Sequence, residues 1–218
     1  MKHHIALFLV ALGLHTAALA SPSINGATGL IGMPTADTLR FQEYNLGIDY
    51  LLNTDSGVDD AHVYKLNLGT FEGWEFGVVG GSTPSEGAFI NLKYSMIADS
   101  TQFPMSVAVG FENLTSNTQT MAYLVASKSF QGGFHGHFGF RALFNDKVDA
   151  SIMTGVEYFM NDQVSFVSDF EGVGDNYDFN LGARYFLNDQ VTLQLAGVNL
   201  FSKTDPTITF GLILSKFL

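Results

Sequence analysis

After residue 40 the chain alternates, residue by residue, between large apolar side chains and small or polar ones. In residues 44–50, for example, Tyr, Leu, Ile and Tyr alternate with Asn, Gly and Asp. A period of two belongs to the β-strand, because successive side chains point to opposite faces. About twelve such segments follow one another, and no helical periodicity competes with them. The alternation therefore predicts an all-β fold.

The connections between these segments also alternate in length. One set is longer, polar and rich in Asp, Asn, Gly and Ser, such as residues 53–61 and 199–206. The other set is short, such as residues 161–163 and 188–190. Tight turns at one end and longer loops at the other are typical of an outer-membrane barrel, with the tight turns in the periplasm. We predict an antiparallel transmembrane up-and-down β-barrel of about twelve strands over residues 41–218, preceded by a Gly-rich segment.

Alternation by itself also fits a soluble exported β-sandwich, in which the apolar phase would be the core. Three features favour the barrel. The apolar phase is heavily aromatic, and the polar phase contains many small residues that suit a narrow filled lumen. The last strand is alternating and apolar to its end, although Lys216 interrupts it, and it resembles the C-terminal signal read by the outer-membrane assembly machinery. The residues of this predicted assembly signal are Gly211, Leu212, Leu214, Phe217 and Leu218.

Residues 1–20 have the pattern of a secretory signal peptide, with Lys2 as the basic region and Ala18 and Ala20 as the small residues before a cleavage site. We expect a cleaved signal peptide, export and residence in the cell outer membrane. The absence of cysteine excludes disulfides and thiolate metal sites. A formal charge of −11 argues against a nucleic-acid partner.

Charged residues recur within the strands in the polar phase, and this phase would line the lumen of a barrel. We expect these charges to pair across a narrow lumen that is largely occluded or passes only small solutes. The predicted lumen-lining residues are Lys65, Glu75, Lys93, Glu112, Lys128, His135, His137, Arg141, Glu157, Asp169, Asp178 and Arg184.

His135 and His137 are the strongest candidates for catalysis, because they lie two apart on one strand face. His62 could add a third imidazole to a metal site, and a lipid hydrolase would need serine and an acid nearby. No motif links such groups, so we expect polar packing in the lumen, with no catalytic residues, no metal and no cofactor.

One heptapeptide is repeated 27 residues on, as Tyr-Phe-Met-Asn-Asp-Gln-Val at 158–164 and Tyr-Phe-Leu-Asn-Asp-Gln-Val at 185–191. Each copy spans a strand end, a turn and the next strand start. We predict that its paired aromatic residues lie in an aromatic girdle at the membrane interface.

The stretch 26–39 resembles the opening motif of the YjbH-like outer-membrane proteins, in which a Gly-x-x-Gly-Leu-Ile run and Pro-Thr-Ala precede the first strand. Typical members are longer than this chain. The resemblance implies an outer-membrane barrel whose relatives are linked to exopolysaccharide production or export, with no enzymatic activity assigned. The residues themselves indicate a loop, because its glycines permit unusual backbone angles and Pro34 prevents a helix, so residues 21–40 would be a plug, a latch for a periplasmic partner or a plain N-terminal linker. The motif residues are Gly26, Gly29, Leu30, Ile31, Pro34, Thr35 and Ala36.

Four functional hypotheses follow. The first is a non-enzymatic outer-membrane barrel that is accessory to exopolysaccharide production or export. The others are a small porin or channel, a barrel enzyme acting on lipid, and a soluble secreted β-domain. The expected partners are outer-membrane lipid and lipopolysaccharide, the assembly machinery and periplasmic polysaccharide-export proteins.

Overall fold

The computed structural model describes residues 20–54, 57, 59–82, 87–145, 147–173, 176–202 and 206–217. The predicted signal peptide, apart from Ala20, and Leu218 of the predicted assembly signal lie outside the described residues. Within this part of the chain, no helix has the length and hydropathy needed to span a membrane.

Twelve strands form one closed antiparallel barrel in which each strand pairs with its neighbours in sequence. The strand pairing closes where β1 meets β12, with Leu46 opposite Leu214. The prediction of an all-β, up-and-down barrel of about twelve strands is confirmed. The strands are β1 (Glu43–Asn53), β2 (Ala61–Phe71), β3 (Trp74–Gly81), β4 (Phe89–Ile97), β5 (Ser106–Glu112), β6 (Thr120–Ser129), β7 (Phe134–Phe144), β8 (Val148–Asn161), β9 (Val164–Val173), β10 (Asn176–Asn188), β11 (Val191–Val198) and β12 (Thr207–Phe217).

The two ends of the barrel differ. The connections 72–73, 130–133, 162–163 and 189–190 lie at one end, called here the tight-turn end, together with the longer connection 98–105. The start of β1 and the end of β12 lie at the same end. The other six connections form the long-loop end. Four register shifts, in β2, β4, β8 and β10, all lie at the tight-turn end. Bulges of this kind are common at barrel rims, where they bend a strand.

The outer face of the barrel carries large apolar side chains in nearly every strand. Phe138, Phe140 and Leu195 are each about half exposed, although most residues of this type are buried in water-soluble proteins. The inner face contains the buried polar and charged residues. This polarity is the reverse of a soluble sandwich, because here the apolar phase points away from the interior.

Candidate functional site

The lumen is filled by the segment that precedes β1. Thr28, Leu30 and Ile31 of this segment are completely buried, and Met33 and Leu39 are 1% exposed. We call residues 21–40 the plug. The plug has no helix or extended strand; two isolated bridges, between Pro22 and Thr28 and between Gly29 and Pro34, fold it back on itself. Six backbone hydrogen bonds lie within the plug, and its other buried backbone groups need partners outside it.

Cations of the barrel wall bind the carbonyl groups of the plug. Among the described residues, four lysine and arginine side chains are buried on the inner face, and each donates to at least one plug carbonyl. Charge-assisted hydrogen bonds of this kind are about twice as strong as neutral ones. They are Lys65 Nζ to Ser23 O (3.0 Å), Lys93 Nζ to Thr28 O and Asp37 O (2.7 Å each), Arg141 Nη2 to Gly32 O (3.1 Å), and Arg184 Nη2 to Gly29 O and Leu30 O (2.8 Å each).

Two wall carboxylates bind the N–H groups of the plug. Glu75 accepts from Thr28 N at 2.9 Å, from Thr28 Oγ1 at 2.7 Å and from Leu39 N at 3.1 Å. Asp169 accepts from Ile31 N at 2.7 Å and from Gly32 N at 3.0 Å. These carboxylates lie on β3 and β9, so the plug is held from well-separated parts of the wall.

Neutral side chains of the wall also bind the plug backbone, and together with the four cations, Glu75 and Asp169 they form what we call the cradle. Sequence patterning did not single them out, because Asn and Ser are common throughout the polar phase. Backbone partners as far as 91 residues away identify them in the structure. They are Asn45 Nδ2 to Ala20 O (2.9 Å), Asn67 Nδ2 to Gly26 O (2.6 Å), Asn91 Nδ2 to Asn25 O (2.8 Å) and Ser127 Oγ, which accepts from Ala36 N (2.8 Å).

Apolar plug residues pack against apolar inner-face residues. Leu30 and Ile31 form a buried cluster with Val167 and Ala196. A second cluster joins plug residues to β5, β6 and β8; its members are Met33, Ala36, Ala108, Tyr123, Val125 and Met153. A third buried cluster, formed by Val63, Val79 and Phe89, consists of wall residues alone.

Close approach to the wall requires glycine at two positions of the plug. Gly26 has a φ of +102°, and a Cβ there would lie 2.6 Å from Asn91 Nδ2. A Cβ on Gly32 would lie 2.9 Å from Asn180 Nδ2. Any larger residue would push the plug away from the wall at these points.

The inner-face charges also pair with one another. Lys65 bonds Asp49, and Arg141 bonds Glu171 and lies 3.0 Å from a Glu112 oxygen. Two further pairs are Arg184 with Glu157 at 3.3 Å and Lys93 with Glu75 at 4.0 Å. Each buried cation thus has both a plug carbonyl and a wall carboxylate as partners, which offsets the cost of removing it from water.

The structure places eleven of the twelve predicted lumenal residues in the inner-face register, with Asp178 near the long-loop end. The assignment of Lys128 is corrected. In β6 the buried positions are Tyr123, Val125 and Ser127, so Lys128 points outward, with its ammonium 5.6 Å from the centroid of the Phe130 ring. In β6 the apolar residues Tyr123 and Val125 point inward and pack against plug residues, so the prediction that the polar phase lines the lumen is wrong for this strand.

The histidines do not form a reactive centre. His137 Nδ1 lies 2.7 Å from Ser127 Oγ, but its Nε2 has no hydrogen-bond partner in the described structure, so no acid orients the ring. His135 lies at the tight-turn end beside Ser129. His62 is in the outward register and contacts the Tyr64 ring, so it does not join them. The described residues contain no group of three or more His, Asp or Glu placed to hold a metal ion.

The predicted assembly signal lies on both faces of β12. Leu212 and Leu214 point outward, whereas Gly211 is buried on the inner face. Phe217 is 52% exposed at the tight-turn end, where Arg40 lies 5.9 Å from its ring centroid. Lys216 is in the outward register of β12.

The repeated heptapeptides line a cavity of about 980 Å³ at the tight-turn mouth. Their phenylalanines, Phe159 and Phe186, point inward and stack with ring centroids 6.1 Å apart. The prediction that both aromatic residues of each pair lie in an outer girdle is therefore wrong for the phenylalanines. Neighbouring residues on a strand point to opposite faces, so only Tyr158 and Tyr185 point outward.

A closed twelve-stranded barrel with an apolar outer face and a charged, plugged lumen has the fold of outer-membrane porins. No protein-family model matches the chain, and no curated protein matches it. Solved structures are similar at the level of fold. A KdgM porin in complex with disordered oligogalacturonate matches with a TM-score of 0.62 and 12% identity, over 80% of this chain and 99% of that one.

Two further structures agree. An outer membrane channel from Pseudomonas putida F1 matches with a TM-score of 0.58 and 10% identity, over 83% of this chain and 98% of that one. The NanC porin matches with a TM-score of 0.58 and 12% identity, over 79% and 99% respectively. The chain is therefore similar in fold to small porins and channels along nearly their whole length.

Proposed function

We propose that this protein is a small, non-enzymatic outer-membrane channel of the porin type whose lumen is closed by the plug. One observation carries the proposal: a separate segment of chain occupies the space that the inner-face side chains of the twelve strands leave between them. If the side chains of the wall alone filled the lumen, its buried cations would have no backbone carbonyl groups to bind.

The outer face supports a membrane location. An apolar, aromatic surface around a closed barrel is suited to lipid and lipopolysaccharide, because closure satisfies every backbone group within the wall. The tight-turn end would face the periplasm, and both ends of the plug would leave on that side. Export through a cleaved signal peptide and insertion by the outer-membrane assembly machinery belong to the same proposal.

Planar-bilayer recording tests the proposal on the full chain. Thr28→Pro/Ile31→Pro removes the N–H groups that donate to Glu75 and Asp169 and leaves every wall residue unchanged. We expect wild-type protein to show rare, short openings and this variant to show steady conductance, because each unsatisfied buried carboxylate bond costs roughly 1–3 kcal/mol of plug binding.

The matched control is Thr28→Ser/Ile31→Val, which keeps both N–H groups and the hydroxyl at position 28. It should behave as wild type. A heat-modifiability gel verifies that each variant forms a closed barrel. A folded proline variant, or a folded variant lacking residues 23–38, that gives no conductance would contradict the channel proposal.

A second candidate is an accessory role in exopolysaccharide production or export, working with periplasmic polysaccharide-export proteins. The observation that favours it is the occlusion itself, since the residues of the YjbH-like motif are those that fill the lumen. A permanently closed barrel would serve as a scaffold. Unchanged surface polysaccharide in a strain lacking the protein would contradict this candidate, whereas a loss restored equally by wild type and by the proline variant would favour it over the channel.

A further inference from the structure

The charge of the inner face is strongly unbalanced. Among the described residues, seven carboxylates that are buried or ion-paired on this face stand against four cations. Asp178 is also in the inner-face register, but it lies near the long-loop end of the barrel. The carboxylates are Glu43, Asp49, Glu75, Glu112, Glu157, Asp169 and Glu171, and the cations are Lys65, Lys93, Arg141 and Arg184.

The plug does not alter this balance. Asp37 and Arg40 are its charged residues, so it is neutral overall. When it leaves, the wall keeps the same excess of negative charge. The lumen is narrow, and its walls have a low dielectric constant. Such walls strengthen the electric field that the lining charges exert on a solute.

The ion pairs of the wall show which charges become free. Each of the four cations already lies within 4.0 Å of a carboxylate of the wall, so losing the plug leaves each cation paired. Of the seven carboxylates, Glu43 and Asp169 form no ion pair in the described structure, and Glu43 lies at the tight-turn mouth, so Asp169 is the unpaired one inside the barrel. Its partners are two plug N–H groups and Asn180 Nδ2 at 2.6 Å. Plug release therefore exposes an unpaired carboxylate inside the barrel.

The tight-turn mouth of the barrel also carries an excess of negative charge. Asp162 and Asp189, which occupy equivalent positions in the repeat, line the cavity there together with Glu43, against Lys216. Both aspartates are exposed at the tips of their turns. A cation approaching from this side meets negative charge before it reaches the lumen.

We infer that the open lumen is a cation-selective path in which Asp169 is the main selectivity-determining residue. The inference rests on the proposed channel function. Its preferred solutes are inorganic cations and small organic cations, because rings of Asp and Glu side chains select for cations. Polyanions such as oligogalacturonate are repelled.

Reversal potentials in a tenfold KCl gradient test this selectivity in the Thr28→Pro/Ile31→Pro background. We expect the reversal potential to have the sign that K⁺ permeation produces. Asp169→Asn should reduce the K⁺/Cl⁻ permeability ratio by at least about twofold. Asp99→Asn is the matched control, since Asp99 lies in the exposed connection between β4 and β5, outside the lumen. The control should keep the ratio unchanged.

The outcomes separate the two proposals. Steady conductance with no selectivity, with anion selectivity, or with no response to Asp169→Asn overturns the cation inference and leaves the channel intact. Complete absence of conductance, both in the proline variant and in the variant lacking residues 23–38, overturns the channel function and this inference with it. As a second readout, oligogalacturonate added to the open pore should cause no blocking events.

Discussion

The barrel wall and the plug satisfy their backbones in opposite ways. Each wall strand pairs with two neighbours, so its N–H and C=O groups are bonded within the sheet. The plug has only two bridges of its own, and many of its backbone groups bond side chains of the wall. The wall needs nothing from the plug to complete its hydrogen bonding, whereas the plug depends on the wall.

The plug can therefore be removed without breaking the hydrogen bonds between any two strands. Loss of the plug exposes charged side chains, which water can solvate, and two small apolar clusters. Loss of a strand would expose unpaired backbone in lipid, at a cost of several kcal/mol for each group. Mutations should therefore separate into those that act on the wall, those that act on the plug and those that act on both.

Lys65 stabilises both the wall and the plug, so we expect its substitution to cause the largest decrease in stability. Lys65→Met leaves Asp49 buried without its partner and removes the donor to Ser23 O. Breaking a buried pair in this way costs about 3–5 kcal/mol. We expect a large decrease in the free energy of unfolding, measured by urea titration in detergent or lipid.

Lys128→Met is the matched control, since the same substitution at an outer-face position should change that free energy by no more than about 0.5 kcal/mol. Equal effects at the two positions would contradict the assignment of Lys65 to the inner face and Lys128 to the outer face.

A charge on the outer face should act on the wall alone. Leu212 points outward near the middle of β12. Leu212→Arg would place a cation near the bilayer midplane, which costs about 2–4 kcal/mol in membrane barrels. The heat-modifiability midpoint in liposomes should fall, while Leu212→Phe should leave it nearly unchanged. A soluble β-domain would tolerate the arginine, so an unchanged midpoint would argue against a membrane barrel.

The smallest effect is expected from one bond between wall and plug. Ser127→Ala removes the acceptor for Ala36 N and leaves that N–H buried, at a cost of about 1–3 kcal/mol, and it also removes the partner of His137 Nδ1 within the wall. Limited proteolysis should cut the plug several-fold faster, while the unfolding midpoint of the barrel falls no further than it does in His137→Leu, which removes only the bond within the wall. Ser129→Ala, two residues along the same strand face, should not change the proteolysis rate. A larger fall of the barrel midpoint in the Ser127 variant than in His137→Leu would show that wall and plug are not separable.

The architecture of the wall could be predicted from the sequence because it is encoded locally. Alternation identifies each strand and its two faces, and the short and long connections indicate which strand ends lie at which end of the barrel. The exception is β6, in which the apolar residues Tyr123 and Val125 point inward. Inner positions can be apolar when something covers them, and the sequence of β6 alone does not reveal Met33 and Ala36.

The site was harder to predict than the fold, because its contacts are not encoded locally in the sequence. The charged residues and the Gly-rich motif stand out in the sequence, but their bonds join residues as far apart as Gly29 and Arg184, a separation of 155. No local pattern encodes such a pairing. We expected the lumenal charges to pair with one another across the lumen, but in the described structure their ion pairs join strands that are adjacent or next but one along the wall. Their contacts with a peptide backbone became visible only in the structure.

The cradle recognises the main chain, and this has a practical consequence. Carbonyl and N–H groups are the same in every polypeptide, so side chains of the plug that do not pack on the wall can be exchanged with little loss of fit. The barrel also has no cysteine, so a single introduced thiol could be labelled without competing reactions. A barrel without its plug would thus be a nanopore sensor, in which a synthetic peptide added from the tight-turn side reports its own binding as a drop in current.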